Sequence, residues 1–327
     1  MASDEVTAKR QMTEHGQRVL PGRVPVSVII TVMNEAIHIE RCVDSLRWAD
    51  EVFVVDGGST DDTVSLARAT GAAVFSNPWV GYAAQKNWAL LNLPLRHDWV
   101  LFLDADEVVT EELGRDIERV VERQEDRCDA YFVNRRMVFL GRWLRHVWWY
   151  PDCTVRLVRR GPGCAFEDRS VHERWVCPGP IGYLGVDLVH ENLKPLHEYM
   201  ARLNRYATLE ALEILRWRWT ARSGGVRASF SGDWAERRRA LKLRVWFRLP
   251  FRPFFRFVWM WFFRLGFLDG WQGWIFTKLH LCYELMIDMN VKELLRRRGD
   301  AGYLEYVGRR LPGAREIVES LGAYWKS

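Results

Sequence analysis

In the first third of the 327-residue chain, short apolar runs alternate with segments of helical length, and no other feature limits the fold as strongly. The runs are rich in β-branched residues and lack polar alternation, which is typical of strands buried on both faces. They are Val26–Val32, Val52–Val55, Ala72–Phe75 and Trp99–Leu103. Buried strands separated by helices indicate a parallel, doubly wound α/β sheet.

Helix start signals follow the first two runs. Asn34 can cap the first helix, because its short polar side chain can accept hydrogen bonds from the free N–H groups of a first turn. Ser59 and Asp62 have the spacing of a capping box, with aspartate in place of the usual glutamate, so the next helix is predicted to begin near Thr60. Further helices are predicted over Ala83–Leu91 and from Thr110 onward.

Polar residues directly follow three of the predicted strands. Asn34 and Glu35 follow the first strand, Asp56 ends the second, and Asp104 and Asp106 follow the fourth. In open α/β sheets, ligands bind in the crevice beyond the carboxyl ends of the strands. We therefore expect the three motifs to converge on one binding site.

The sequence Asp104-Ala105-Asp106 places two carboxylates on either side of a small residue, after a buried strand. Both can reach one hard cation such as Mg²⁺ or Mn²⁺, and a cation held in this way commonly also binds substrate phosphates. His172 or His190 could add a third ligand, although a lone histidine is more often a hydrogen-bonded core residue. The alternative for the aspartates is a solvated acidic turn that caps the next helix.

Several function classes are disfavoured by the sequence. It has neither the G-x-G-x-x-G fingerprint of dinucleotide-binding enzymes nor the G-x-x-x-x-G-K-[ST] loop of P-loop nucleotidases. Six scattered cysteines without a C-x-x-C pair indicate reduced thiols rather than a disulfide or zinc framework. No nucleic-acid-binding motif is recognised, so nucleic acid is not expected as a partner. The first residues lack the apolar core of a signal peptide, and we expect a flexible polar tail and no secretion.

A family resemblance is carried by four segments in this order: VSVIITVMNE, FVVDGGSTDDT, GYAAQKNWAL and WVLFLDADE. Together they resemble family 2 glycosyltransferases, which have the GT-A fold. Four later segments are similar to the lipopolysaccharide core β-1,4-glucosyltransferases of that family, the WaaE/KdtX type. These segments are FLGRWLRHVWWYPDCTVRLVRR, AFEDRSVHE, LNRYATLEA and GFLDGW. The order of the motifs is more specific than any one of them.

The resemblance implies a pocket for a UDP-sugar and a divalent cation. The residues implied to line the nucleotide-sugar pocket are Thr31, Asn34, Glu35, Asp56, Gln85, Lys86, Asp104 and Ala105. Asp56 is implied to hydrogen-bond the uracil ring, and Lys86 to act as a point charge near the diphosphate. Asp106, with Asp104, is implied to hold Mg²⁺ or Mn²⁺, which offsets the charge that develops on the UDP leaving group.

Family 2 enzymes invert the anomeric centre, so a carboxylate must take the proton of the attacking acceptor hydroxyl. The candidates are Glu173, Asp152, Glu167 and Asp168. Glu173 is the first choice, because it ends a predicted strand on the acceptor side, and Asp152 is the second. The structural alternatives are ion pairs of Glu173 with Arg169 or Arg174, and of Asp152 with Arg156.

Tryptophans and basic residues are interleaved between positions 142 and 150. Aromatic faces such as those of Trp148 and Trp149 stack on sugars, and an arginine fork such as that of Arg145 binds phosphate. Core packing would explain one or two of the tryptophans, but not their mixing with charge. We therefore expect a phosphorylated or lipid-linked glycan as the acceptor.

Beyond Pro195 the pattern becomes helical, starting with a helix over His197–Leu215. We expect three regions: a flexible tail over residues 1–24, a GT-A catalytic domain over 25–195, and a helical, membrane-associated region over 196–327. Arginines recur every four residues from 244 to 256 and again at 264, among many Phe and Trp residues, and Pro253 is expected in the first turn of a helix.

This C-terminal segment is predicted to lie on a membrane surface. Between Arg237 and Arg264 there are nine basic residues and no acidic one, which suits anionic lipid headgroups. The longest uncharged run within 251–271 is seven residues, too short to cross a bilayer. We expect an interfacial helix, basic on one side and rich in Phe and Trp on the other. The alternative is a core helix with snorkelling arginines.

These observations predict an inverting glycosyltransferase that moves a sugar from a UDP-sugar to a lipid-linked or lipopolysaccharide-core glycan, with metal assistance. Glucose is the sugar that the resemblance implies, and the expected location is the cytoplasmic face of the inner membrane. Transfer to a polyprenyl phosphate is a close alternative, because a phosphate oxygen needs no general base. A non-catalytic membrane-surface protein on the same scaffold is an alternative of another class. A nucleotidyltransferase is disfavoured, because its glycine-rich phosphate loop is absent.

Overall fold

The computed structural model describes residues 23–122, 128–167, 174–220, 241, 245–246, 249, 251–311 and 314–326. The chain divides into two compact units, Met1–Leu193 and Lys194–Ser327. The predicted flexible tail lies almost wholly outside the described residues. Also outside the described residues are four residues near the predicted base, Asp168, Arg169, His172 and Glu173, and the arginines at 244 and 248.

Four parallel strands form one side of the main sheet of the first unit. They are β1 (Val24–Val32), β2 (Ala49–Asp56), β3 (Ala73–Ser76) and β4 (Trp99–Asp104). Their order across the sheet is β3-β2-β1-β4. They confirm the four predicted strands.

The sheet continues beyond β4 with mixed strands that the sequence pattern did not predict in detail. They are β5 (Glu107–Val108), β6 (Ala130–Phe139), β7 (Arg142–Trp143), β8 (Cys153–Arg159), β11 (Ile181–Tyr183) and β12 (Leu188–Glu191). From β4 the order is β8-β6-β12-β5, with β8 antiparallel to both β4 and β6. A separate antiparallel pair is formed by β9 (Ala165–Glu167) and β10 (Arg174–Val176).

Helices cover both faces of this sheet. They are α1 (Ala36–Asp44), α2 (Thr63–Ala69), α3 (Tyr82–Asn92) and α4 (Glu111–Glu122), and the last two confirm the helices predicted there. Val28 and Ile30 of β1 pack in one core with Ile39 of α1, whereas Ile29 packs in a second core with Ala89 of α3. Burial on both faces explains the continuous apolar runs and confirms the doubly wound, mostly parallel sheet.

The predicted cap of α1 by Asn34 and the predicted start of α2 near Thr60 are wrong, for a shared reason, although α1 does begin at Ala36, just after Asn34. Asn34 has φ 58° and does not cap α1, because its Oδ1 accepts the Thr60 N–H at 2.8 Å. Ser59 Oγ in turn accepts the Asn34 N–H at 2.9 Å, and α2 begins only at Thr63. Both side chains therefore join the loop after β1 to the loop after β2. Short-range capping patterns do not reveal such contacts between loops.

The second unit is helical, as predicted. Its helices are α5 (Leu196–Thr220), α6 (Arg252–Val258), α7 (Gly270–Arg296), α8 (Ala301–Arg310) and α9 (Arg315–Lys326). A π turn (Trp259–Phe263) and a 3₁₀ turn (Gly266–Asp269) join α6 to α7. Leu212, Leu294, Leu304 and Ile317 share one core. In the described part of the chain, none of the helices combines the length and the apolar character that a membrane span requires.

The expected basic face of α6 is wrong at Arg252. Its guanidinium is buried, with Nε 2.9 Å from Glu284 Oε2 and Nη2 2.6 Å from Asp288 Oδ1, both on α7. Arg256 is half-buried one turn further on, and burial lowers the pKa of its guanidinium. Pro253 does lie in the first turn of α6, as predicted. The carboxylates of α7 attract Arg252 towards the protein interior. The local spacing of the arginines could not predict this, because these carboxylates lie about thirty residues further along the chain.

Candidate active site at the carboxyl edge of the sheet

Strand register brings the predicted motifs to one edge of the sheet. Thr31 lies opposite Asp104 on β4, and Val32 lies opposite Asp56 on β2. Asn34 and Glu35 follow β1 at the same edge. The structure therefore brings together the three polar motifs that follow β1, β2 and β4.

Two further strands bring residues to this edge that strand and helix patterns do not predict. β8 is antiparallel to β4, with Leu157 opposite Leu101, so its amino-terminal half runs beside the carboxyl end of β4. β12 is parallel to β6, which is parallel to β4 across β8, so the carboxyl end of β12 also reaches this edge. Arg156 of β8 and His190 of β12 thereby approach the Asp104-Ala105-Asp106 sequence.

Arg156 is buried between two carboxylates. Its Nη2 lies 2.5 Å from Asp104 Oδ2 and 2.5 Å from Glu107 Oε1, and Glu107 Oε2 accepts the Asp104 N–H at 3.0 Å. Burial by itself would raise the pKa of Asp104, but the positive charges of Arg156 and Lys86 lower it to about 2. Asp104 is therefore an ionised carboxylate whose position and charge are both fixed by neighbours.

Asp106 faces His190, with 3.4 Å between Oδ2 and Nε2, and Asn192 Nδ2 donates to the same oxygen at 3.2 Å. Burial would lower the pKa of His190, but the Asp106 and Glu107 carboxylates raise it to about 10. The imidazole therefore carries a positive charge beside Asp106 at neutral pH.

This pair is where a cation could be held. Among the described residues, no group of three or more His, Cys, Asp or Glu side chains is arranged to hold a metal ion. Asp106 offers one oxygen, and His190 offers one nitrogen once its imidazole has lost its proton; Mn²⁺ accepts both ligand types. The residues fit a divalent cation only if substrate oxygens complete its coordination, as in sites that bind diphosphates.

The loops after β1 and β2 form one wall of the edge. Glu35 N–H donates to Thr63 Oγ1 at 2.8 Å, and Ala36 N–H donates to Asp61 Oδ2 at 3.2 Å. The free N–H groups at the start of α1 are thus satisfied by the neighbouring loop rather than by a local cap. Asn34 and Glu35 are held firmly beside the turn that follows Asp56.

Asp56 shapes this turn. Its carboxylate is buried and accepts the N–H groups of Gly58 and Ser59, each at 3.1 Å. Gly58 has φ 107°, a conformation that favours glycine, and a side chain at Gly57 would lie 3.1 Å from the Trp79 ring. At Gly58, by contrast, no atom of the described residues would lie within 4 Å of an added side chain, so a ligand could approach the backbone closely there. The implied contact with uracil would use a carboxylate that also organises the turn.

His38 orients Glu35. The His38 ring is buried, its Nε2 accepts the Leu193 N–H at 2.8 Å, and its Nδ1 lies 2.7 Å from Glu35 Oε2. Because Nε2 is the acceptor, Nδ1 carries the proton and donates to the carboxylate. Glu35 is thus aimed by a buried hydrogen bond that the sequence did not indicate.

Gln85 and Lys86 are both buried in α3. The Gln85 carboxamide is paired with Asn77, donating to Asn77 O at 3.0 Å and accepting from Asn77 Nδ2 at 2.8 Å. It therefore fixes the loop between β3 and α3. The Lys86 ammonium lies 5.3 Å from the Phe166 ring centroid and 6.0 Å from that of Phe102. Its charge acts on Asp104 from within the protein.

Asn87 holds β9 over Lys86. Its Oδ1 accepts the Phe166 N–H at 2.8 Å, and its Nδ2 donates to Phe166 O at 2.7 Å. The side chain replaces a neighbouring strand, since it pairs with both backbone groups of one residue. Phe166 also packs edge-on against Phe102 and Trp175, with ring centroids 5.0 and 4.9 Å apart.

On the acceptor side, Asp152 is paired with Arg135 and not with Arg156, so that alternative is wrong. Arg135 Nη2 lies 2.6 Å from Asp152 Oδ2, and the Trp148 indole N–H donates to the same oxygen at 3.2 Å. Asp152 N–H donates to Asn134 Oδ1 at 2.6 Å. Glu173, the first choice of base, lies outside the described residues, and the structure does not place it.

The aromatic and basic residues near Asp152 pack on one another. The Arg145 and Arg136 guanidinium carbons lie 4.0 and 4.5 Å from the centroid of the Trp143 ring. Trp148 and Trp149 contact edge to face at 5.7 Å, and the Trp149 side chain is exposed. The structure therefore joins Trp148 to Asp152 and Arg145 to Trp143 within one surface of aromatic rings and guanidinium groups.

Sequence reasoning missed four supporting residues: Glu107, Arg156, His38 and Asn192. Glu107 directly follows the two aspartates, and this proximity is the one signal that could have indicated it. His38 lies one helical turn after Glu35, a local spacing, whereas Arg156 and Asn192 reach the site from β8 and from the end of β12, far along the chain. No local spacing identifies the last two.

Comparison with known proteins agrees with this geometry. Residues 27–170 match the sequence profile of glycosyl transferase family 2. An uncharacterized glycosyltransferase of Rickettsia bellii (strain RML369-C) is 44% identical over 108 residues, which are 32% of this chain and 36% of the relative. The lipopolysaccharide core biosynthesis glycosyltransferase LpsC of Rhizobium meliloti (strain 1021) is 30% identical over 195 residues, 58% of this chain and 71% of LpsC.

The chain thus spans well under half of the Rickettsia relative it matches and over two thirds of LpsC. A solved structure of glucosyl-3-phosphoglycerate synthase from Mycobacterium tuberculosis, in complex with Mn²⁺, UDP and phosphoglyceric acid, is 28% identical. It matches 35% of this chain and 44% of that chain, with a TM-score of 0.30. From the profile match and the extent of the likeness to LpsC, the chain belongs to glycosyl transferase family 2.

Proposed function

We propose that this chain is an inverting glycosyltransferase that moves a sugar, glucose in the first instance, from a UDP-sugar to a lipid-linked or lipopolysaccharide-core glycan. The observation that carries the proposal is the pair of carboxylates after β4, one balanced by a buried guanidinium and one facing an imidazole. Asp104 is fixed by Arg156, whereas Asp106 and His190 face each other across 3.4 Å. The likeness to LpsC supports a glycan acceptor.

Within this proposal, the donor lies along the carboxyl edge of the sheet. Asp56 and the Gly57-Gly58 turn receive the uracil and ribose, and Thr31 and Asp104 lie opposite each other at the centre of the edge. Asp106 and His190 would hold Mg²⁺ or Mn²⁺, which would offset the negative charge on the departing diphosphate. Lys86 adds a positive charge from beneath Phe166, where water is excluded and electrostatic interactions are stronger.

The acceptor hydroxyl attacks the sugar from the face opposite the diphosphate. A bond forms between the acceptor oxygen and C1 as the bond between C1 and the diphosphate oxygen breaks, so the configuration inverts. UDP leaves with the bonding electron pair, and the hydroxyl proton passes to a carboxylate. Glu173 remains our first candidate for this base and Asp152 the second. Asp152 is oriented for the role by Arg135 and Trp148.

The acceptor is proposed to bind on the surface made by Trp143, Arg145, Trp148 and Trp149. Rings that pack edge to face leave aromatic faces on which a sugar can stack, and guanidinium groups bind phosphate. We also propose peripheral attachment at the cytoplasmic face of the inner membrane, next to a lipid-linked acceptor. The basic sequence between Arg237 and Arg264 supports attraction to an anionic surface.

The deciding experiment measures UDP-sugar hydrolysis and transfer across a panel of donors with Mn²⁺. One donor should be consumed, and Asp106→Asn should lower the rate by about 10²–10³, the scale for loss of an electrostatic stabiliser. Glu111→Gln, at an exposed position on α4, is the matched control and should keep full activity. Absence of nucleotide-sugar binding in calorimetry with Mn²⁺ would refute the proposal.

The same assay separates the two acceptor chemistries. If Glu173→Gln or Asp152→Asn slows transfer without lowering donor binding, a carboxylate accepts the proton of a hydroxyl. If neither change slows transfer while Asp106→Asn abolishes it, the acceptor is a polyprenyl phosphate, whose oxygen needs no base.

A further inference from the structure

The segment from α6 to the start of α7 exposes a large aromatic surface. We name this surface the aromatic shelf. Its members are Phe251, Phe254, Phe255, Trp259, Phe262, Phe263, Phe267, Leu268, Trp271 and Trp274. Phe251 is 79% exposed and Phe263 is 71% exposed. Soluble proteins rarely expose a continuous apolar area of this kind without a binding role.

Rings of the shelf contact one another and the half-buried Trp261. Trp259 stacks on Phe263 with centroids 5.8 Å apart, and Trp274 meets Trp261 at 5.0 Å. Trp261 in turn lies 6.3 Å from Phe267. Phe257 of α6 meets the same Trp274 ring at 5.6 Å, so ring contacts link α6, both turns and α7.

Close packing behind the shelf holds it in shape. A side chain at Gly273 of α7 would lie 2.6 Å from the carbonyl oxygen of Gly266 and 2.7 Å from Asp269 Cβ. The 3₁₀ turn is thus pressed directly onto α7. Thr277 Oγ1 also donates to Gly273 O at 2.7 Å within this helix.

Buried ion pairs set which side of α6 faces outward. Arg252 is 3% exposed and is held by Glu284 and Asp288 of α7, whereas the rings of Phe254 and Phe255 are exposed to solvent. If the arginines of α6 bound lipid phosphates, Arg252 would face the solvent, but it faces the protein interior. The outward side of α6 offers aromatic rings, and the Arg252 guanidinium is turned to protein carboxylates.

Charge at the border of the shelf indicates what covers it. Asp269 is the single acidic residue of 251–274 and is buried, whereas Lys278 is exposed with its ammonium 4.7 Å from the Trp274 ring. Arg264, which directly follows the π turn and is half-buried, adds a second positive charge to this part of the chain. An aromatic centre with a positive border complements an anionic bilayer. A second copy would instead bring two positive borders together.

We propose that the aromatic shelf inserts into one leaflet of an anionic lipid bilayer, so that attachment depends on burial of rings and only secondarily on positive charge. This inference rests on the membrane attachment in the proposed function, and does not depend on the transfer chemistry. Trp and Phe rings lie between headgroups and acyl chains in such surfaces, with the helix parallel to the membrane. Exposed Lys278 would then meet the headgroups.

The test uses the full chain and flotation with vesicles of phosphatidylcholine, with and without phosphatidylglycerol, at low and at molar salt. Binding should persist at molar salt. Phe254→Ser with Phe263→Ser should weaken partitioning by at least about tenfold for each ring removed. Leu285→Ser with Tyr306→Ser changes two exposed apolar side chains of the same unit outside the shelf, and should leave partitioning unchanged.

Further measurements separate loss of membrane binding from loss of folding or of activity. Thermal unfolding of both double variants checks folding, and hydrogen exchange of the unaltered protein should show new protection over 251–274 when vesicles are added. Hydrolysis of the UDP-sugar in solution should be the same in the shelf variant and the wild type. If hydrolysis is absent in both while binding needs the shelf, the proposed function fails and this inference stands.

Three results would overturn the proposal. The first is release of the protein by molar salt with no effect of the shelf substitutions. The second is equal loss of binding in the shelf variant and the control. The third is a dimer that the shelf substitutions dissociate, in a protein that does not bind vesicles.

Discussion

At the scale of single residues, Arg156 organises the acidic end of β4. It lies between Asp104 and Glu107 in a buried position, and the Glu107 carboxylate also accepts the Asp104 N–H. Removal of one partner of a buried ion pair costs more than the pair contributes, because a charge is left without compensation. Arg156 therefore determines both the position of Asp104 and the charge that a diphosphate would meet.

Replacement of Arg156 should be strongly destabilising. Arg156→Met leaves the buried Glu107 carboxylate and the half-buried Asp104 carboxylate without their cation, and we expect a loss of about 3–5 kcal/mol in the free energy of unfolding. Arg156→Met combined with Glu107→Gln should recover part of this loss, and a double-mutant cycle by chemical denaturation measures the coupling.

The matched control is Arg115→Met, which removes an exposed ion pair with Glu111 and should change stability by less than about 1 kcal/mol. Equal losses of unfolding free energy in Arg156→Met and Arg115→Met would show that the buried ion pairs of Arg156 stabilise the fold no more than an exposed pair.

At the scale of elements, β9 is attached to α3 by one side chain. Asn87 satisfies both backbone groups of Phe166, and Phe166 in turn covers the buried ammonium of Lys86. Three parts of the first unit are thus connected through a single carboxamide: α3, β9 and the floor of the site. A contact of this kind lies between helix and strand and has no periodic signature in the sequence.

Loss of the Asn87 carboxamide should loosen β9. Asn87→Ala leaves the N–H and C=O of Phe166 without their partner, which costs about 1–3 kcal/mol for each buried group left unsatisfied. Hydrogen exchange over Ala165–Glu167 should rise sharply. The control is Asn92→Ala, because Asn92 is exposed and bonds to Trp88 O within its own helix. Similar exchange in both variants would contradict the role of Asn87.

The packing of α6 on α7 encloses a neutral histidine. The His280 ring lies 4.6 Å from that of Phe276, and burial together with the nearby charge of Arg256 lowers the pKa of His280 to about 3. The Tyr283 ring lies 6.4 Å from that of His280, Glu284 follows it on α7, and burial raises the pKa of both Tyr283 and Glu284. In the unfolded chain, histidine titrates near pH 6.5, at about its ordinary pKa.

Stability should therefore fall as the pH decreases from about 6.5 towards 3, because the unfolded chain takes up a proton at His280 that the folded chain refuses. The slope from this one group approaches about 1.4 kcal/mol per pH unit. The raised pKa of Glu284 has the opposite effect on stability: the folded chain binds this proton more readily than the unfolded chain, so stability rises as the pH falls towards the ordinary pKa of glutamate. Comparison of the variants therefore separates the effect of His280 from that of Glu284. His280→Phe should flatten the profile of unfolding free energy against pH, and His197→Gln, at an exposed position on α5, should not.

At the scale of the whole molecule, each unit has its own core. The first unit contains two apolar cores on opposite faces of its sheet, and the second has a core shared by α5, α7, α8 and α9. Every residue assigned to the donor site belongs to the first unit, and the aromatic shelf belongs to the second. The proposed sugar-nucleotide site and the proposed membrane-binding surface thus lie in different parts of the chain.

A donor product should stabilise the first unit selectively. With UDP and Mn²⁺ at a hundred times the dissociation constant, the bound state gains about 2.7 kcal/mol by linkage. Hydrogen exchange should slow over residues 56–63 and 104–108 and stay unchanged in α8 and α9. Asp106→Asn should abolish the effect of Mn²⁺. Equal protection of both units would contradict a donor site confined to the sheet edge.

The sequence by itself determined the parts of this protein that depend on local pattern. Continuous apolar runs predicted the four parallel strands, since strands buried on both faces need apolar side chains at every position. The polar residues after Val32, Val55 and Leu103 then had to meet at one edge, because parallel strands share the direction of their carboxyl ends. The order of the motifs along the chain was also enough to indicate family 2.

Only the tertiary structure decided which side chains support the site and which way α6 faces. Arg156 and His190 reach the aspartates because β8 and β12 join the sheet beside β4 and β6, far along the chain from Asp104. Arg252 turns inward because Glu284 and Asp288 lie on α7, although its spacing predicted a basic outer face. The physical reason is the same in each case: a buried charge is placed by its partner, and the partner is distant in sequence.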